Sequence, residues 1–77
     1  MVRYAADHKA KTHAAIVEAA ALRIAAGGFE AAGVASIMAE AGLTHGGFYA
    51  HFKSRDALLA AAVGRLFDRG IESLDRL

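Results

Sequence analysis

Gly42-Leu43-Thr44-His45-Gly46-Gly47-Phe48-Tyr49-Ala50-His51-Phe52-Lys53-Ser54 decides the fold of this chain, because it reads as one short helix entered from a glycine-led turn and left at a serine. At about 100° per residue, Phe48 and Phe52 fall together and mark the inner face. Gly46, Gly47 and Ala50 fall opposite them, with His45 and Tyr49 along one edge and His51 along the other, so the outer face is nearly bare backbone. A glycine in a helix costs up to about 1 kcal/mol relative to alanine, so folding alone does not favour two of them in a first turn. Close approach of the backbone to a ligand does favour them. Thr44 stands at the N-cap, where its hydroxyl can satisfy an orphan amide, and the positive end of the helix dipole suits a phosphate. An aromatic anchor, a bald outer face and a rim of hydrogen-bonding and basic groups point to DNA.

Upstream, Val34, Ile37, Met38 and Ala41 repeat at i, i+3, i+4, i+7, which predicts a helix capped by Gly33 and stopped by Gly42. Only Gly42, Leu43 and Thr44 separate it from the next helix, and so short a turn forces a steep crossing, as in helix-turn-helix units, with Leu43 buried at the crossing. The motif spans about residues 33–52. Before it, Ile16, Ala20 and Ile24 predict an amphipathic helix from about Lys11 to Ala26, ended by Gly27-Gly28 and followed by Phe29 as an apolar plug. Residues 1–10 are mixed and polar and are expected to form a flexible basic arm.

Downstream, Ser54 caps a helix with Asp56 in its first turn. From Arg55 to Leu77 it extends about 34 Å, more than the preceding helices can cover. Leu58, Leu59, Ala62 and Val63 pack on the head; Leu66, Phe67, Ile71, Leu74 and Leu77 continue beyond it and need another partner. The expected architecture is all-α: a three-helix homeodomain-like helix-turn-helix head over residues 11–54 and a long fourth helix over 55–77.

Composition bounds the function. At 77 residues the chain is one small domain, and a domain of that size buries only about 60% of its unfolded surface, which leaves little room for an enclosed catalytic cavity. Cysteine is absent, which excludes disulfides, thiolate metal sites and cysteine nucleophiles. The net charge of +1 announces no partner; its distribution says more. Arg3, Lys9 and Lys11 outnumber Asp7 near the start and Lys53 and Arg55 follow the glycine helix, while Glu18, Glu30 and Glu40 lie between. No apolar run reaches the ~20 residues of a membrane span, and the N-terminus lacks the apolar core of a signal peptide, so a cytoplasmic protein with no membrane partner is expected. His8, His13, His45 and His51 are not spaced as a metal pair on one helix face, and Ser36, Ser54 and Ser73 have no recognisable histidine and carboxylate partners. No cofactor, no metal and no enzyme activity are expected.

These residues resemble the N-terminal DNA-binding domain of TetR/AcrR-type transcriptional regulators. The likeness is carried by Ile16-Val17-Glu18-Ala19-Ala20, Gly28-Phe29-Glu30, Val34 with Ile37, Ala41-Gly42-Leu43-Thr44-His45-Gly46-Gly47-Phe48-Tyr49, then His51-Phe52-Lys53-Ser54 and Leu58. It implies a dimeric repressor-type regulator that places its third helix in the major groove of a pseudo-palindromic operator, with a separate C-terminal domain for dimerisation and a small-molecule effector. It assigns Thr44, His45, Gly46 and Gly47 to the groove and Tyr49, His51, Lys53 and Arg55 to phosphates, with Gly33 where many members carry a phosphate-contacting hydroxyl.

Two residues depart from the family pattern. Gly33 has no hydroxyl, and Ala50 replaces what is often a larger polar or aromatic residue, offering a thymine methyl only a small apolar contact. Base reading is therefore expected to be sparse and DNA shape to contribute more. The apolar tail from Leu66 to Leu77 reads as a severed connection to the C-terminal domain. Its alternative is a complete interaction module that pairs with a full-length regulator and antagonises it.

Overall fold

The structure is a computed structural model that describes residues 4–75; Arg3 of the basic arm and Leu77 of the apolar tail lie outside them. Three α-helices, α1 (Tyr4–Gly27), α2 (Val34–Glu40) and α3 (Arg55–Asp75), alternate with two 3-10 segments, Phe29–Ala31 and His45–Ala50. There is no strand among the described residues. None of the helices described is long and apolar enough to cross a membrane.

The core forms where α1 crosses α3 and the short elements close over them. Ile16, Ala20, Ile37, Met38, Phe48, Leu58 and Ala62 are buried together, and Val34, Leu43, Leu59 and Leu66 pack against them. The periodic positions that predicted helices 1, 2 and 4 are thus the ones that meet.

Helix ends follow the local chemistry. Gly42 adopts φ 78°, a left-handed conformation that glycine takes without a Cβ penalty. Beside it the Leu43 amide donates to the Met38 carbonyl at 2.8 Å and the Gly42 amide to the Ala39 carbonyl at 3.0 Å, the paired bonds of a Schellman end. That geometry turns the chain sharply from α2 into His45–Ala50. Gly28 also takes a positive φ, 74°, at the end of α1, where its amide donates to the Ile24 carbonyl at 2.8 Å. At Gly27 an added Cβ lies 2.9 Å from that of Ala31, so no larger residue fits. Ser54 caps α3, its Oγ accepting the Ala57 amide at 3.1 Å.

Two expectations change. α1 begins at Tyr4 rather than near Lys11. The run from Asp7 to Lys11 contains no helix breaker, and Asp7 lies in the first turn, where it favours the dipole, so helix continues without an apolar face to bury. The segment His45–Ala50 is a 3-10 helix of six residues, not an α-helix. Two adjacent glycines weaken α propensity there, and the tighter helix delivers Phe48 and Phe52 to the core within one short span.

Charge ties the two long helices together. The Glu18 carboxylate on α1 accepts from Arg69, and Arg65 lies 3.5 Å from it, both arginines on one face of α3. The Arg69 hydrogen bond, and then the positive charge of both arginines, holds the Glu18 carboxyl below its ordinary range. Because the lowered value belongs to the folded state, the clamp stabilises fully above about pH 4.5, the unperturbed value, and is lost as pH falls through the folded one. Glu18→Gln is expected to cost less than about 1 kcal/mol at pH 7, as partly exposed pairs do. Thermal unfolding followed by circular dichroism should show the gap between variant and parent closing below about pH 4.5; a gap independent of pH contradicts the clamp.

Candidate nucleic-acid interface

The segment His45–Ala50 hangs on one side chain. Phe48 is 1% exposed, its ring stacked 5.8 Å from Phe52 and edge-on to Tyr49 at 5.1 Å. Full burial of such a ring contributes about 1.5–3 kcal/mol, enough to anchor six residues that bury little else. The rest of the segment faces outward. His45, Gly46 and Ala50 are exposed, and Tyr49 is 71% exposed despite its contact with Phe48.

The two glycines stand differently. At Gly46 an added Cβ meets nothing within 4 Å. Gly47 is half-buried, and its Cβ direction leads to the Thr44 hydroxyl at 3.6 Å and Met38 at 4.0 Å, ordinary packing distances. Neither has a positive φ. The fold therefore requires glycine at neither position, and only Gly46 presents bare backbone outward.

Thr44 occupies the N-cap position in extended backbone, but its side chain makes no capping bond; the cap is made by its carbonyl, which accepts the Gly47 amide at 3.1 Å. A 3-10 turn brings that carbonyl within reach first, which leaves the exposed hydroxyl available. This corrects the hydroxyl cap expected from the sequence. With only six residues the segment also lacks the length for a sizeable dipole.

His51 closes the segment, its amide donating to the Phe48 carbonyl at 2.9 Å. Its Nδ1 is buried without a partner. His13 on α1 stacks on Phe52 at 4.5 Å and reaches within 6.5 Å of His51, a proximity hidden by their separation in sequence. No three His, Cys, Asp or Glu side chains gather into a metal-binding group among the described residues.

The basic residues divide. Lys53 is exposed and makes no ion pair among the described residues. Arg55 is tied into the fold: its Nη2 donates to the Phe29 carbonyl at 2.8 Å and its Nε to that of Ala32 at 3.3 Å. Arg23 completes the staple, donating to the Ala31 carbonyl at 3.2 Å and pairing with Glu40 at 3.2 Å. The turn between α1 and α2 is thus held by two arginines, a role with no local signal in the sequence. Gly33 is exposed at the N-terminal end of α2, and the full length of that seven-residue helix, about 10 Å, lies between it and the turn into the 3-10 segment.

A family model described as bacterial regulatory proteins, tetR family, matches residues 16–62. The uncharacterized HTH-type transcriptional regulator YfiR of Bacillus subtilis (strain 168) is 31% identical over 70 residues, 91% of this chain and 34% of that protein. The chain therefore spans about a third of the length of the curated relative it matches. No solved structure gives a significant match.

Removing the Arg55 guanidinium leaves two carbonyls without that partner, whereas Lys53 touches nothing that the fold needs. Arg55→Met is expected to destabilise the domain by about 1–2 kcal/mol and Lys53→Met by less than about 0.5 kcal/mol. Urea unfolding of the two variants compares them directly; equal stabilities contradict the staple.

Proposed function

The chain belongs to the tetR family of bacterial regulatory proteins, and from that premise we propose that it is the DNA-binding portion of a transcriptional repressor. The observation that carries this reading is the outward-facing His45–Ala50 segment, fixed by Phe48 and open above Gly46. A protruding element with one residue reduced to backbone can come closer to base edges than any side-chain-bearing helix. Gly46 makes the closest approach, with Thr44, His45 and Gly47 beside it and Ala50 offering an apolar contact. Tyr49, His51 and Lys53 hold phosphates. Arg55 serves its carbonyls first and offers only its spare donors, and Gly33 brings no hydroxyl to the far end of α2.

In the full regulator two such heads, held by a dimerising body, place their segments in successive major grooves about 34–36 Å apart on a pseudo-palindromic operator. A small-molecule effector in that body changes the separation and releases the DNA. The seat for the body is the outer half of α3, where Phe67, Ile71 and Leu74 are exposed along one groove with Val63 and Leu66. The same stripe supports a second reading, in which the chain pairs with a full-length regulator and blocks it. Size-exclusion chromatography beside a DNA titration separates the two: a tight dimer indifferent to DNA favours the second.

The reading is tested at Gly46. Gly46→Ala fits the structure, so it should raise stability by about 0.4–1 kcal/mol while weakening DNA binding. Gly46→Val should keep the fold and abolish binding, as circular dichroism and gel shifts would show. A folded Gly46→Val chain with unchanged affinity overturns the interface. Lys53→Ala should weaken binding to all sequences alike and lower the salt slope by about one.

A further inference from the structure

From Asp7 to Ala15, α1 is helix without a core: every residue there is exposed except half-buried Thr12, and full burial begins after this stretch at Ile16. Helix that buries no apolar face gains little by forming, so the use of this overhang lies in what it presents.

It presents one wall of a cleft. His8, Lys9 and Thr12 of α1 face Leu43, Ala50 and His51 across a space of about 320 Å³. His8 and Thr12, four apart, share a helix face, and Lys9 adjoins them. Every polar side chain lining the cleft can donate: an ammonium, a hydroxyl and two imidazoles. No carboxylate lines it. A cleft rich in donors and free of acids takes an anion. Its far wall, Ala50 and His51, is the end of the segment proposed to enter the major groove, so the anion at hand is a phosphodiester of the same duplex.

We infer that His8, Lys9 and Thr12 of α1, with His51, form a clamp for one phosphate of the DNA backbone, extending the interface beyond the helix-turn-helix motif onto the first helix. This inference rests on the DNA-binding reading above. The clamp neutralises charge and fixes the register of the 3-10 segment; it carries no sequence information of its own. Arg55 is tied to carbonyls, which leaves Lys9, in the cleft, and Lys53, just after the segment, as the exposed lysines beside it.

The test uses Lys9→Ala, with Lys11→Ala as control, in DNA titrations at several salt concentrations. Lys11 carries the same charge two residues away but lies outside the cleft. Loss of one neutralised phosphate lowers the salt slope by about 0.9 and the affinity about eightfold at 0.1 M salt, for every duplex alike. Lys9→Ala should show that loss, Lys11→Ala a much smaller one, and Thr12→Val a partial loss with an unchanged slope. Both lysines are exposed, so melting curves should match the parent. Equal losses from the two lysines, or none from Lys9→Ala while Gly46→Val still abolishes binding, overturns the clamp and leaves the interface standing. Inorganic phosphate that binds through Lys9 without any effect of Lys9→Ala on DNA affinity also overturns it. Absence of duplex binding by the parent chain removes both readings together.

Discussion

Phe48, with 1% of its surface exposed, joins a six-residue 3-10 segment to the rest of the domain, and the geometry of the outer surface follows from that contact. A segment so short makes few internal hydrogen bonds and would not persist alone. Its conformation is dictated from beneath, by Phe48 and Phe52 seated among Ile16, Ile37, Met38 and Leu58, and from before, by the left-handed turn at Gly42. Because the inner face supplies the order, the outer face is free of structural duty. That is why Gly46 can remain bare and Tyr49 can stand 71% exposed without loss of fold.

The same separation appears in the charges. Arg23 and Arg55 are spent on carbonyls of the turn between α1 and α2, and Arg65 and Arg69 on Glu18. Guanidinium groups offer several donors in a fixed plane and suit such multiple contacts. The lysines near the 3-10 segment, Lys9 and Lys53, are exposed and make no ion pair among the described residues. Glu18 and Glu40 are paired with arginines away from that segment, so the net charge of +1 says little about the groups around it. On the proposed reading, affinity from those groups would be nonspecific, and specificity would fall to the few groups around Gly46 and to the deformability of the duplex.

What the sequence made legible was whatever has a short-range cause. The i, i+3, i+4, i+7 pattern of Val34, Ile37, Met38 and Ala41, the stop at Gly42, the cap at Ser54 and the inward phenylalanines each depend on neighbours within a turn or two, and each is found in the structure. What escaped depends on distant partners or on a near balance of local energies. Arg55 reads as a free cation until Phe29 and Ala32 are brought beside it. His13 and His51 belong to different elements until Phe52 lies between them. The choice between α and 3-10 over His45–Ala50 and the start of α1 at Tyr4 turn on small differences in propensity, which periodicity does not weigh. The candidate interface was largely visible as a set of residue types, but Gly47 faces Met38 rather than solvent and Thr44 caps through its carbonyl, distinctions that only the tighter helix draws.

The exposed stripe of Phe67, Ile71 and Leu74 bears on how such a head works. A single module contacting a few phosphates binds weakly, and linkage to a second converts the next contact into an intramolecular one at high effective concentration. On the proposed reading, rigid linkage matters more than tight linkage, because two segments would have to meet grooves about 34–36 Å apart. α3 supplies that rigidity: Leu58, Ala62 and the Glu18 clamp to Arg65 and Arg69 bind it to α1, and the same continuous helix carries the exposed Phe67, Ile71 and Leu74. On the same reading, a small rotation at the outer apolar stripe would reach the 3-10 segment as a lever movement, and a head switched in that way would need stiffness rather than an effector site of its own.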